Sequence, residues 1–270
     1  MTPVQPIVRR EGQHPSDAVI EVRGVVTRFG SQTVHQDLSF SVGRGELVAL
    51  IGGSGSGKSV LLREIIGLHR PSAGQLRLLG TDMWAAPEAE RNAVRRRFGM
   101  MFQDGALFSS LSVAQNVAVP LLEHTQLSRS TIDELVRLRL RQAGLPEGAG
   151  AKMPSELSGG MRKRAAIARA IALEPEIVFL DEPTSGLDPI TARGFDQLVR
   201  SLVDDLGLTV FLVTHDLDTL LSVADRLIVL ADRRVLADGP VGEVMNHPNE
   251  WLQSYFSVRK MIQVDSTHGS

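Results

Sequence analysis

The residues Gly52-Gly53-Ser54-Gly55-Ser56-Gly57-Lys58-Ser59 follow the apolar run Leu47–Ile51 and precede the amphipathic stretch Val60–Ile66. A G-x-x-x-x-G-K-[ST] string therefore sits on a strand-to-helix turn. Glycines let such a loop fold tightly with its N–H groups pointing inward, and the helix N-terminus adds partial positive charge. Lys58 can neutralise β- and γ-phosphate oxygens, and the Ser59 hydroxyl can ligate Mg²⁺. This arrangement implies a cradle for a nucleoside triphosphate, with hydrolysis as the expected chemistry.

A second constellation carries acid–base potential. The apolar run Ile177–Leu180 ends in Asp181-Glu182, and strand C-termini in parallel sheets open onto the ligand crevice. Asp181 can hold Mg²⁺ through its water shell, and Glu182 can polarise the water that attacks the γ-phosphate. Without the upstream loop, the pair would read as two acids at an exposed strand end. Leu157-Ser158-Gly159-Gly160-Met161 precedes the small-residue stretch Ala165–Ile171. Ser158 can cap a helix there and the glycines expose N–H groups, a pattern shared by anion-binding helix starts and by plain caps.

The elements that must position these groups are legible from periodicity. Val19–Val22, Leu38–Val42 and Leu76–Leu78 alternate with period two, as half-buried strands of an antiparallel margin do. Leu47–Ile51, Ile177–Leu180 and Val210–Val213 are continuously apolar, as strands covered on both faces are. Arg226–Leu230 and Val235–Ala237, separated by Ala231–Arg234, read as a hairpin closing the sheet. Between about residues 104 and 173 the pattern turns helical, with Ser130 placed to cap Thr131–Val136, Asp133 in the capping-box position, and an end near Gly144. Residues 1–17 and 259–270 read as tails, the first of them flexible, around a folded unit over 18–258.

Bulk properties narrow the class. The chain has 270 residues, 43% of them apolar, enough for one large domain or two small ones. A net charge of −2 leaves no global basic field for nucleic acid, and the triplets Arg95-Arg96-Arg97 and Arg162-Lys163-Arg164 each read as solvated surface. No apolar run approaches the roughly 20 residues of a membrane span, and no secretory leader is recognisable, so a cytoplasmic location is expected. The absence of cysteine excludes disulfides and thiolate metal sites.

Six motifs then combine. The phosphate loop, Phe102-Gln103, Leu157–Met161, Asp181-Glu182-Pro183, Ser185-Gly186-Leu187-Asp188 and Thr214-His215-Asp216 stand in the order and spacing of the ATP-binding cassette ATPases, which the chain resembles over roughly residues 18 to 245. The resemblance implies an α/β fold: a P-loop NTPase core with an antiparallel β margin and an inserted helical subdomain. It also implies ATP and Mg²⁺ as cofactors and a homodimer in which each ATP lies between one subunit's Gly52–Val60 and the other's Ser158, Gly159, Gly160 and Asp188. Catalytic roles fall to Glu182, His215 and Gln103, with metal contacts from Ser59, Gln103 and Asp181 and adenine stacking on Phe29. The residues alone leave alternatives open. Phe29 also reads as a strand-end core aromatic, Gln103 as a polar strand end, His215 as a ring satisfying a carbonyl, and Asp188 before Pro189 as an N-cap with Pro at N1.

Two departures from the family pattern matter. Val60 stands where Thr is usual and removes one hydroxyl from the α-phosphate, a hydrogen bond worth about 0.5–1.5 kcal/mol. Met161 replaces the usual Gln. With Arg162-Lys163-Arg164-Ala165-Ala166, Pro120–Thr125 and Asp188-Pro189-Ile190, that Met resembles the ATPases of bacterial Mla-type lipid transporters. Those work with an MlaE-like permease and a periplasmic MCE-domain protein, which implies a motor peripheral to the inner face of the cytoplasmic membrane. The stretch Gly105–Leu111 can form a groove for a permease helix or belong to the subdomain core. A small-solute importer subunit and a soluble non-transport cassette ATPase are the competing functions. The second would usually show another cassette or a long coiled coil, and neither is present. A guanine-reading Asn-Lys-x-Asp is absent as well.

Overall fold

The structure, a computed structural model, describes residues 18–257; the two terminal tails expected from the sequence lie outside the described residues. The period-two segments extend into β1 (Ala18–Phe29) and β2 (Gln32–Gly43), which pair antiparallel. The fully apolar run becomes β3 (Leu47–Gly52). With β4 (Ala73–Leu78) and β5 (Thr81–Asp82), β1 and β2 make a four-stranded sheet in the order β2-β1-β4-β5, the antiparallel margin that alternation predicts.

The larger sheet has the order β10-β9-β3-β8-β7-β6, where β6 is Phe98–Met101, β7 Ile177–Asp181, β8 Thr209–Val213, β9 Arg226–Ala231 and β10 Arg234–Pro240. Strands β3, β6, β7, β8 and β9 run parallel, and only β10 is reversed. The closing hairpin is tighter than expected. Ala231 pairs with Arg234, leaving Asp232 and Arg233 at φ 49° and 66°, the two-residue turn whose twist suits a hairpin. Periodicity does not single out β6, a four-residue strand with a glycine inside it. A Cβ on Gly99 would stand 2.1 Å from the Ala170 carbonyl oxygen, so glycine is what lets this strand approach its covering helix.

Continuous apolar character in β3 is explained by two cores. Val48 and Leu50 face the antiparallel sheet and helix α1 (Lys58–Ile65), together with Phe40, Phe179 and Phe211. Leu47, Ala49 and Ile51 face helices α3 (Val113–His124), α4 (Arg129–Gln142), α5 (Gly159–Ala170) and α6 (Pro189–Leu206). Helix α2 (Glu88–Arg95) contributes Val94 to the first core. Phe179 meets Phe98 edge-on at 5.5 Å and Phe211 at 5.9 Å, and a ring so buried is worth about 3–5 kcal/mol against alanine. The expected helical segment is thus α3, α4 and α5, sharing one core with the sheet.

Two local expectations are corrected. Ser128 caps α4, accepting from the Thr131 N–H at 3.2 Å, and Ser130 lies inside the first turn. The chain enters the helix two residues earlier because Ser128 is the residue with extended backbone (φ −64°, ψ 155°). The triplet Arg95-Arg96-Arg97 is surface, but of Arg162-Lys163-Arg164 only Arg162 is exposed. Lys163 is buried, and Arg164 donates to the carbonyls of Ala143 (2.9 Å) and Gly194 (3.1 Å), closing the end of α4. No helix among the described residues is long and apolar enough to cross a membrane.

Parallel register sets the site. Leu50 and Asp181 both pair with Val213, and Met101 pairs with Leu180, so β3, β6, β7 and β8 all end at one edge of the sheet. The phosphate loop, Gln103, Glu182 and His215 emerge there together.

Candidate nucleotide-binding and hydrolysis site

The loop from Gly52 to Gly57 joins β3 to α1, with Gly57 as N-cap at φ 94°. Lys58 Nζ donates to the carbonyls of Gly52 (2.8 Å) and Gly53 (3.2 Å), so the ammonium folds back over the loop. Burial lowers its pKa, while the carboxylates of Glu182 and Asp181 oppose that shift. Ser54, Gly55 and Ser59 are exposed, and Val60 continues the first turn of α1. Ser56 Oγ is buried without a hydrogen-bond partner among the described residues.

Asp181 and Glu182 differ in environment although adjacent. Asp181 Oδ1 is buried with no hydrogen-bond partner among the described residues, and burial first, then the charge of Glu182, raises its pKa. Arg63, Lys58 and Lys163 work in the opposite direction. An oxygen so placed fits a divalent cation, whose charge would offset both causes. Glu182 turns out of the strand at φ 47°, a left-handed conformation unusual for a residue with a side chain, and its N–H donates to the Val213 carbonyl at 2.8 Å. Its Oε1 lies 2.7 Å from His215 Nδ1, and the His215 side chain is 70% exposed. Gln103 is exposed, with Nε2 3.4 Å from Ser185 Oγ. The phosphate loop, Asp181, Glu182, Gln103 and His215 therefore gather at one sheet edge.

Ser158, Gly159, Gly160 and Asp188 form a second group. Ser158 caps α5, accepting from the Met161 N–H at 3.3 Å. Asp188 caps α6 through Ile190 (3.1 Å) and Thr191 (3.0 Å), as the Asp-Pro pattern predicts. The two helix starts touch each other: a Cβ on Gly160 would stand 2.4 Å from the Thr191 methyl. Ser158 and Asp188 are exposed, and their hydrogen bonds stay within these helix starts among the described residues. Phe29 is 45% exposed at the end of β1 with its ring stacked on His69 at 4.8 Å, so it is not a core aromatic.

Two residues of the site were hidden in the sequence. Lys163 donates to the carbonyls of Gln103 and Glu182, tying α5 to the segments that follow β6 and β7. Burial lowers its pKa, with Asp104, Glu182 and Asp181 acting against the shift. Tyr255, on a final helix over residues 250–257, donates to the His215 carbonyl at 3.2 Å. Burial, then the charges of Glu182 and Asp216, push its phenol up to about 12, so it remains a donor at neutral pH. Only a Lys adjacent to a helix-cap motif and a lone Tyr mark them in the sequence, signals too common to act on. Replacing Lys163 by Met keeps the stem but leaves two carbonyls without their donor. The expected result is a fall in kcat of about 10-fold with ATP affinity within about 3-fold, checked by steady-state hydrolysis beside nucleotide titration.

The chain is similar to known proteins in sequence and in fold. The profile of the family described as ABC transporter matches residues 35–185. The chain is 42% identical over 221 residues to the intermembrane phospholipid transport system ATP-binding protein MlaF of Haemophilus influenzae, covering 82% of this chain and 83% of that one. It is 37% identical over 251 residues to the probable ribonucleotide transport ATP-binding protein mkl of Mycobacterium leprae, covering 93% and 72%. Among solved structures it resembles a dimeric ATP-binding cassette in a post-hydrolysis state bound to ADP and Pi, with TM-score 0.75 and 30% identity over 82% of this chain and 98% of that one.

Proposed function

Because the chain belongs to the ABC transporter family as an ATP-hydrolysing subunit, we propose that its ATP cycle drives a membrane permease moving phospholipid or related hydrophobic compounds across the bacterial envelope. The observation that carries the cargo class is the 42% identity to a protein named for intermembrane phospholipid transport. The motor would sit on the inner face of the cytoplasmic membrane as a homodimer, with an MlaE-like permease and an MCE-domain protein as partners. The 37% identity to a protein named for ribonucleotide transport supports a polar-solute cargo as the second reading.

In the proposed cycle the N–H groups of Gly53–Lys58 and the Lys58 ammonium hold the β- and γ-phosphates, and Phe29 offers its exposed ring to adenine. Ser59, Gln103 and, through water, Asp181 would hold Mg²⁺, whose charge would offset that of the phosphates. Glu182 accepts the proton of the attacking water, and His215, seated 2.7 Å from Glu182, reaches the γ-phosphate. Ser158, Gly159, Gly160 and Asp188 face the ATP of the other subunit in the proposed dimer, through helix starts at which Ser158 and Asp188 are exposed.

Coupling to the permease is assigned to the loop after Gln103. Arg169 donates to the carbonyls of Gly105 (2.9 Å) and Ala106 (2.7 Å). Buried Asn116 binds Phe108 through both its N–H (2.7 Å) and its carbonyl (3.1 Å). The backbone is pinned while the Phe108 side chain is 51% exposed, which removes it from the subdomain core and suits an interface anchor. Phe108→Ala is expected to weaken permease association by about 2 kcal/mol or more with the isolated subunit still folded, read by pull-down and thermal melting. A permease affinity unchanged by the substitution would sink the anchor role. Cargo is tested by purifying the subunit with its native permease and extracting bound lipid. Phospholipid enrichment is expected, and a polar solute that stimulates hydrolysis through a solute-binding protein would overturn the lipid assignment.

A further inference from the structure

Directly beneath the phosphate loop lies a polar trio that no part of the nucleotide chemistry uses. His35 on β2, Thr27 on β1 and Glu64 on α1 are each 0% exposed. Thr27 Oγ1 is 2.7 Å from Glu64 Oε1, His35 Nδ1 is 2.9 Å from Thr27 Oγ1, and His35 Nε2 is 3.2 Å from the Gly57 carbonyl oxygen. Glu64 Oε2 has no hydrogen-bond partner among the described residues and lies 3.4 Å from His35 Nδ1. The imidazole and Gly57 are fitted to each other, since a Cβ on Gly57 would stand 2.2 Å from Nε2.

Counting donors narrows the proton arrangements to two. A carbonyl oxygen only accepts, so Nε2 carries a hydrogen. Between Nδ1, the Thr27 hydroxyl and the carboxyl, two hydrogen bonds need two hydrogens. Thr27 supplies one, and the second rests either on Nδ1, giving an imidazolium beside a carboxylate, or on Glu64, giving two neutral groups. Both states satisfy both bonds and carry the same net charge. Burying such a trio is costly compared with three apolar side chains of similar size, which would stabilise the same junction at least as well. What apolar side chains would not do is grip a carbonyl of the loop.

We propose that His35, Thr27 and Glu64 form a buried, proton-sharing brace that holds the Gly57 carbonyl and thereby sets the phosphate loop and the start of α1 in the geometry that receives ATP. His35 is then a positioning residue. The proposal rests on the assignment of the Gly52–Ser59 loop to ATP, and Gly57 marks the point where the loop becomes the helix whose first residues are Lys58 and Ser59.

The test uses the full chain and measures ATP Kd, KM, kcat and Tm together. His35→Ala is expected to raise Kd and KM by about 3- to 10-fold with kcat changed less than about 2-fold. His35→Gln, whose side-chain amide can donate from near the position of Nε2, should recover most of that loss. Thr27→Val, nearly the same shape without the relay hydroxyl, should reproduce the alanine effect on Kd and covers the case where His35→Ala fails to fold. A lower Tm with unchanged Kd and KM in both His35→Ala and Thr27→Val, or a glutamine variant no better than alanine, would overturn the brace. Loss of ATP binding by wild type, or binding insensitive to Lys58→Ala, would instead overturn the site assignment itself.

Discussion

Glu182→Gln is expected to leave ATP binding intact and to lower steady-state hydrolysis by about 10²-fold or more, the loss typical of removing a general base. The amide keeps the size of the side chain and can still accept from His215 Nδ1–H, now 2.7 Å from Oε1. The left-handed turn at φ 47° and the N–H bond to Val213 belong to the backbone and should persist. What disappears is the ability to take a proton from water. With binding preserved and turnover blocked, ATP should hold two subunits together, so gel filtration in ATP should shift the variant to a dimer. Hydrolysis within a few-fold of wild type would remove Glu182 from the base role.

The second large effect concerns the two helix starts at Ser158 and Asp188. A mixture of Lys58→Ala and Ser158→Arg chains is expected to recover activity that neither variant has alone. In a two-fold dimer, a mixed pair holds one site with both defects and one with neither, and random pairing should restore about a quarter of wild-type activity. The structure supports this because Ser158 and Asp188 are exposed and make their hydrogen bonds within their own helix starts. The wild-type subunit should also gain specific activity as its concentration rises, since association completes the site. Full activity from a demonstrated monomer would be incompatible with shared sites.

Much of this was legible before any coordinates. The phosphate loop, the acids after Leu180, the Ser158 cap and the Asp188-Pro189 start are local patterns, each fixed by residues a few positions apart, and the structure forms all four. Alternation against continuous apolarity separated the antiparallel margin from the parallel core, because side-chain period and burial on one or two faces are properties of a single strand. Even the misplaced α4 cap was an error of two residues, from Ser130 to Ser128, between serines of equal local fitness.

The tertiary structure decided what the polar residues do. Lys163 meets the Gln103 carbonyl across 60 residues of chain, Tyr255 meets His215 across 40, and Thr27 meets Glu64 across 37. Nothing local marks these partners. A lysine in a basic triplet is ordinarily solvated, and a histidine or glutamate in an amphipathic segment ordinarily faces water. Apolar burial follows from each segment's own pattern, because any apolar neighbour satisfies it. A buried donor or acceptor is satisfied only by a particular partner at a particular distance and angle, and that pairing exists only once distant elements have packed.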